Sequence, residues 1–469
     1  MFRNASLWLT LVVFFMLLLY FKYFRREREN IDTSFLSHNF ANPNNVLAKG
    51  KKIMLLAPHE DDEALMCTGI ITHALANGAD LRVVVVTNGD NKGCKAGFIR
   101  LRETIKAMEY LGLNSENIVL LGYGDTSKNS DSFLNRLYNA SNDKITIKSK
   151  VGSETYSIPE MPEFHYQKYG VHAAYDRATF RQDMKMVIEE FNPDSIFVSS
   201  FYDTHPDHSM LYRFTVESII DIKRNNTKFS PIMYEYIIHS HDGDDSWPER
   251  NQKGGPLVPF SKPVTLEKET LLDWEQREIF TLPLKMQTRP LSKNKKYITI
   301  GKYRSQRPKS NNNYLYSYVK LDEFFWKKDF SNIAFLANVS VSSENTLTNQ
   351  LGIKAVDGFI DGYPHFPDHE WVAKGETAGA WIQLSWSQAY TINKIVLYGR
   401  PNLHDIITSA TLSFSDGSSI HIDDLPDNGK GYEINFIAKT VEWIKFTVNT
   451  VVGESTGLSE FEVYEEPSI

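Results

Sequence analysis

The stretch KKIMLLAPHEDDEALMCTGIITHALANGA, residues 51–79, decides the fold. Its first seven residues, up to Ala57, run almost without break through apolar side chains, as a strand buried on both faces does. From Glu63 onward apolar residues recur at helical spacing until Gly78, a residue suited to close a helix. One histidine and four acids, His59 to Glu63, lie between the two patterns. Carboxylates crowded behind a buried strand repel one another, and a metal ion turns that repulsion into binding.

Outward from this stretch the alternation continues. LRVVVVTNG and NIVLLGYGD read as strands, with the amphipathic helix FIRLRETIKAMEYLGL between them. DRATFRQDMKMVIEEFNPD reads as a helix, SIFVSS as a strand, His208 to about Asp221 as a helix, and PIMYEYIIHS as a strand. This βα order predicts an α/β fold, a Rossmann-like and mostly parallel sheet with helices on both faces. Residues 241–290 break into turns. The segments LSKNKKYITIGKYRSQ and NNYLYSYVKLDEFFW then read as a closing helix followed by a strand or helix pair. Beyond Phe330 short alternating runs between Gly, Asn, Asp and Ser turns predict an all-β sandwich. The expected organisation is an anchor with a basic flank at 1–26, a linker at 27–50, an α/β domain at 51–328 and a sandwich at 331–469.

The bulk numbers agree with two or three folded domains in 469 residues, 42% hydrophobic and 23% charged. A net charge of −7 argues against a nucleic-acid surface. Cys67 and Cys94 form neither a disulfide framework nor a C-x-x-C pair, so the redox compartment stays open. LWLTLVVFFMLLLYF, Leu7 to Phe21, approaches bilayer-spanning length once Tyr23 and Phe24 extend it, with Trp8, Tyr20 and Tyr23 as interfacial aromatics. No small-x-small cleavage site follows, which favours a single-pass anchor over a signal peptide. Lys22, Arg25, Arg26 and Arg28 would keep the body on the cytosolic side.

In an open parallel sheet, ligands bind beyond the carboxyl ends of the strands. APHEDDE ends the first strand, and YDTHPDHS follows the strand SIFVSS. Together they offer His59, Asp61, Asp62, His205 and His208. Two imidazoles and a carboxylate are a common set for catalytic zinc, with the fourth position left for water, and the same ligands accept other divalent metals such as iron or cobalt. Alone, HEDDE would serve as an acidic helix turn and HPDH as a turn with Pro206 at the first helical position; both together, each behind a buried strand, favour a site. No glycine-rich fingerprint follows the first strand, so no dinucleotide site is expected. Cys67 reads as core, and TNGDNKG as a pocket wall or an ordinary Asn-Gly turn.

PHEDDE at 58–63 and HPDH at 205–208 resemble the PIG-L/LmbE-like deacetylases, zinc enzymes that remove N-acetyl groups from N-acetylglucosamine-containing molecules. RLRETIKAMEYLGL, NPDSIFVSS, YRSQ and LDEFFW agree with that likeness over roughly 50–326. The resemblance implies His59, Asp62 and His208 as zinc ligands and Asp61 as general base. It implies His205 as the residue that stabilises the oxyanion and protonates the departing amine. Glu63, Arg100 and Glu103 would hold the loop and helix in place. His239 and His241 read as residues reaching the sugar or, favoured here, as the end of a strand. Where the family often has proline after its first histidine, this chain has Glu60; pointing inward it would raise the pKa of Asp61, and pointing outward it would change nothing.

NIAFLANVSVSSENT, KAVDGFIDG, GAWIQLSWSQAYTINKIVLYGRPN and GLSEFEVY resemble the galactose-binding-like, discoidin-type sandwich over about 331–466. That implies a structural Ca²⁺ near Asp357 and Glu460, and glycan-binding loops with Trp371, His365, Phe366 and Tyr363 as candidates. Trp381 and Trp386 read as core, and HFPDHEW, His365 to Trp371, as a loop without metal. A glycan-binding module points to a lumenal or extracellular side, against the charge bias. Family members acting on the glycolipid of GPI-anchor biosynthesis in the endoplasmic reticulum keep the catalytic domain cytosolic. The expected function is zinc-dependent N-deacetylation of an N-acetylglucosaminyl glycolipid or glycan. The alternatives are a catalytically silent glycan-binding protein and a metal hydrolase of another amide.

Overall fold

Alternate residues of β1 (Lys52–Ala57) feed two separate cores, Ile53 and Leu55 on one face of the sheet, Met54 and Leu56 on the other. A strand buried on both faces belongs in the middle of a sheet, and β1 is central here. The computed structural model describes residues 43–252, 254–268, 271–306, 314–402 and 404–466. The anchor expected at 1–26, and the linker up to residue 42, lie outside them. Among the described residues no helix is long and apolar enough to cross a membrane.

After β1 come α1 (Asp62–Met66) and α2 (Thr68–Asn77), then β2 (Asp80–Thr87), α3 (Cys94–Leu111) and β3 (Ile118–Tyr123). The polar excursion holds α4 (Phe133–Tyr138) and α5 (Phe164–Tyr169). α6 (Arg177–Phe191), β4 (Ser195–Ser199), α7 (Pro206–Asn225) and β5 (Ile232–Tyr236) continue the alternation. β6 (Glu278–Thr281), α8 (Lys295–Ile300) and β7 (Asp322–Asp329) close the sheet. The strand order is β3-β2-β1-β4-β5-β7-β6. β1 to β5 pair in parallel, and β7 joins β5 and β6 antiparallel. β6 corrects the reading of 241–290 as turns alone.

This order reverses direction between β1 and β4, the switch point where loops leave to opposite sides and a crevice opens. The two motif-bearing loops follow those two strands. Their meeting is therefore a consequence of topology.

The second body is antiparallel: β8 (Asn338–Val341), β9 (Trp371–Ala373), β10 (Trp381–Gly399), β11 (Ile406–Phe414), β12 (Ser419–Ile422), β13 (Gly431–Val452) and β14 (Thr456–Glu465). β10 and β13 slip register between Ser385 and Tyr390 and again between Ile392 and Lys394, so both long strands bend and the sheet folds over its core as a sandwich. Trp371 is fully buried in that core and its indole N–H donates to the Ser343 carbonyl at 2.9 Å. It is a packing residue, which removes it from the sugar-stacking candidates. Trp386 is core as expected, but Trp381 lies on the opposite, half-exposed face under Lys445, whose Nζ is 4.1 Å from the ring centre.

Candidate metal centre

Three of the four consecutive buried acids, Glu60, Asp62 and Glu63, meet partners of their own. Glu60 points inward, fully buried, with Oε2 3.1 Å from Arg100 Nε of α3, while Arg100 also donates to the Glu60 carbonyl at 3.0 Å. Burial pushes the Glu60 carboxyl up to about 7, against the pull of Arg100. Gly89, at φ +58, makes the room: a side chain there would run into Glu60 and Arg100. Glu63 accepts the Asp61 N–H at 3.1 Å and the Tyr303 hydroxyl at 2.5 Å, and burial likewise pushes it up to about 7.

Asp61, between them, adopts φ 115, a conformation rare outside glycine and held here by the surrounding contacts. Its carboxyl is raised well above the usual range by burial, then by the neighbouring Asp62 charge, with Arg100 opposing. Asp62 goes the other way. Burial would raise it, but His208 and His59 outweigh burial and hold it well below the ordinary carboxylate range.

The second loop enters from β4. His205 caps α7, its Nδ1 accepting the Asp207 N–H at 3.3 Å, so the proton of the neutral ring sits on Nε2. Burial and the three surrounding imidazoles of His59, His208 and His239 hold that ring neutral. His59 Nδ1 lies 3.1 Å from His208 Nε2; Asp62 Oδ2 is 3.2 Å from His208 Nε2 and 3.6 Å from His59 Nδ1. Ligands about 2.0–2.1 Å from a tetrahedral ion stand roughly 3.3 Å apart, so this triangle fits one zinc-sized cation.

The outer nitrogens are also held. His59 Nε2 is 3.2 Å from Asp207 Oδ2 and His208 Nδ1 is 3.1 Å from Asp203 Oδ2, the carboxylate–imidazole pairing that orients metal-bound histidines. Asp203 Oδ2 also accepts the N–H groups of Ile238 and His239, at 2.7 and 3.0 Å, which ties the loop after β5 to the site. His205 offers a further nitrogen: ligand atoms of His59, His205 and His208 lie within 4.8 Å of one another, as do those of His59, Asp125 and Asp207. The Asp62 triangle closes on edges of 3.1 to 3.6 Å and contains a carboxylate held ionised, which favours it over three imidazoles.

A cavity of about 330 Å³ opens on this cluster, with His59, Asp61, Asp62 and His205 on its floor. Gly89, Asn91 and Lys92 from TNGDNKG line it, and so does His239, which stacks on Tyr314 at 5.8 Å. His239 thus lines the cavity and does more than end a strand; His241 packs on Tyr202 instead. Asp203, Asp207 and Asp125 escaped that reading, although the first two sit inside YDTHPDHS. Arg100 and Glu103 each bridge segments, the latter accepting the Ser305 N–H at 3.0 Å and its hydroxyl at 2.6 Å. Cys67 is buried core.

In the sandwich, Glu460 accepts the N–H groups of Asp357 and Gly358 at 3.2 and 3.1 Å. Burial drives the Asp357 carboxyl to about 7 and Glu460 well above its usual range.

Residues 54–219 match the family described as GlcNAc-PI de-N-acetylase (PIG-L), and residues 332–464 match a domain of unknown function, DUF7402. No curated protein matches the chain at a significant level. Among solved structures, a carbohydrate-binding module of Clostridium perfringens in complex with GalNAc-β-1,3-galactose is 21% identical, over 27% of this chain and 94% of that one, with a TM-score of 0.23. A fucose-binding module of Streptococcus pneumoniae is 21% identical over 29% of this chain and 95% of that one, with a TM-score of 0.24.

Proposed function

We propose that this chain, which carries a PIG-L domain at residues 54–219, is a zinc-dependent hydrolase. It removes the N-acetyl group from an N-acetylglucosaminyl unit of a glycolipid or glycan and releases acetate. The observation that carries this reading is the triangle of His59 Nδ1, Asp62 Oδ2 and His208 Nε2, with edges of 3.1, 3.2 and 3.6 Å, beside a cavity that also meets Asp61 and His205.

His59, Asp62 and His208 would hold Zn²⁺, which would supply Lewis-acid chemistry to a water and to the acetamide carbonyl. Asp61 takes the proton of the attacking water, a role supported by its place in the cavity beside the metal triangle. His205, held neutral with its proton on Nε2, donates a hydrogen bond to the developing oxyanion. The proton collected by Asp61 then reaches the departing amine. Asp203 and Asp207 keep the two metal-facing imidazoles in the tautomer that presents a lone pair inward. We assign the apolar run Leu7–Phe21 as a membrane tether. The buried Asp357–Glu460 pair is assigned as the seat of a structural Ca²⁺.

The test is acetate release from N-acetylglucosaminyl substrates by the zinc-loaded chain. Wild type should turn over. Asp61→Asn should keep its zinc while losing about 10²–10⁴ in kcat, and His205→Ala about 10²–10³. Wild type with stoichiometric zinc and no acetate release from any such substrate would sink the deacetylase reading.

A further inference from the structure

The helix that presents His205, Asp207 and His208 is gripped from behind by the sandwich. Arg213 stands five residues beyond His208, about 7.5 Å along α7 and roughly 140° around its axis, so it faces away from the metal-binding end. Its side chain is buried, at 1% exposure. The guanidinium donates to Asp361 Oδ2 at 2.6 Å and lies 2.8 Å from His369 Nδ1. The Phe366 and Phe359 rings flank it with centres 4.1 and 5.3 Å away. All four partners come from residues 359–369, in the loop that precedes β9.

The same face of the helix continues the contact. Gly358 comes so close that a side chain on it would meet Val216 at 2.9 Å and Ile220 at 3.2 Å. Arg224 Nε donates to the Phe335 carbonyl at 3.2 Å. Positions 213, 216, 220 and 224 form one stripe at helical spacing, and that stripe is given to the sandwich. An arginine buried with a single carboxylate is strongly destabilising once that partner is removed. The pair therefore fixes where the helix sits, and with it the two imidazoles at its start.

We infer that Arg213, clamped by Asp361 and His369, is a positioning residue for the metal centre. The sandwich is then a part of the catalytic apparatus and not only an appended binding module. Of the two histidines in HFPDHEW, His369 serves the clamp. The inference rests on the deacetylase reading for the meaning of "catalytic", but its geometry can be tested without turnover.

The test uses the full chain loaded with Co²⁺, whose visible absorption reads ligand geometry. Wild type is compared with Arg213→Lys, Asp361→Asn and a control on α6, Arg181→Met. Arg181 pairs with Glu217 and Asp221 of α7 at 3.3 and 2.9 Å on the more exposed side. Asp361→Asn and Arg213→Lys should shift the visible bands and lose Co²⁺ to a chelator about tenfold faster. The zinc forms should lose about tenfold in kcat with KM within about twofold. The control should change none of these. If Arg213→Lys fails to fold, Asp361→Asn decides alone. A folded Asp361→Asn protein with wild-type bands and wild-type metal loss overturns the inference. Wild type that binds Co²⁺ but releases no acetate sinks the deacetylase reading, and the band shift still decides the clamp. If wild type takes up no metal, amide exchange of residues 207–210 in the metal-free chain decides it, with faster exchange expected in Asp361→Asn.

Discussion

His208 is the residue whose chemistry depends most on its surroundings. Burial alone would lower its pKa, but Asp203 and Asp62 outweigh burial and raise it to about 10 without metal. A raised imidazole stabilises the metal-free fold fully below its ordinary value near 6.5, and that contribution fades as pH rises toward 10. Metal binding has the opposite sense, because the ion must displace the proton from Nε2. Zinc affinity of the full chain, measured by chelator competition from pH 6 to 8, should therefore strengthen about tenfold per pH unit or more. A flat profile would mean that His208 is not a ligand. Glu60 was visible in the sequence as a departure from the pattern of the PIG-L/LmbE-like deacetylases that the motif resembles. Its answer, Arg100 reaching back from α3 across the room left by Gly89, was not visible, because a pairing forty residues apart leaves no local trace.

At the scale of elements, strands buried on both faces and helices with one apolar face declared themselves by period, and the switch point followed from their order. β6 did not. Its four residues pair only with β7, more than forty residues downstream, and a strand so short carries too little pattern to stand out among turns. Asp203 and His239 were equally hidden, since their roles arise only where the loops after β4 and β5 converge. Trp371 misled for a different reason: an aromatic in a loop-rich stretch of a sandwich suits a sugar face or a core equally well by sequence. Its complete burial decides for the core. Trp371→Ala should destabilise the chain by about 3–5 kcal/mol, read from urea unfolding. A loss of glycan binding with unchanged stability would contradict that assignment. Phe366 packs its ring over Arg213 yet stays 37% exposed, and Tyr363 and His365 of the same loop also face solvent.

At the scale of the whole molecule, two sheets share one helix. α7 brings its first turn to the crevice between β1 and β4 and its far face to the sandwich. The two-body architecture was legible from the change of texture near Phe330; the clamp joining the bodies was not, because it depends on the docking of two surfaces that fold separately in the sequence pattern. Everything proposed about chemistry depends on one cation held by residues from both sides of the switch point. X-ray absorption at the zinc edge, on the full chain loaded with one equivalent of Zn²⁺, reads that first shell directly. Two imidazole nitrogens and carboxylate oxygen are expected at about 2.0–2.2 Å, with a further light-atom ligand from solvent. Three imidazoles, a sulfur ligand, or zinc bound only with the loose multi-oxygen shell of a surface site would contradict this ligand set.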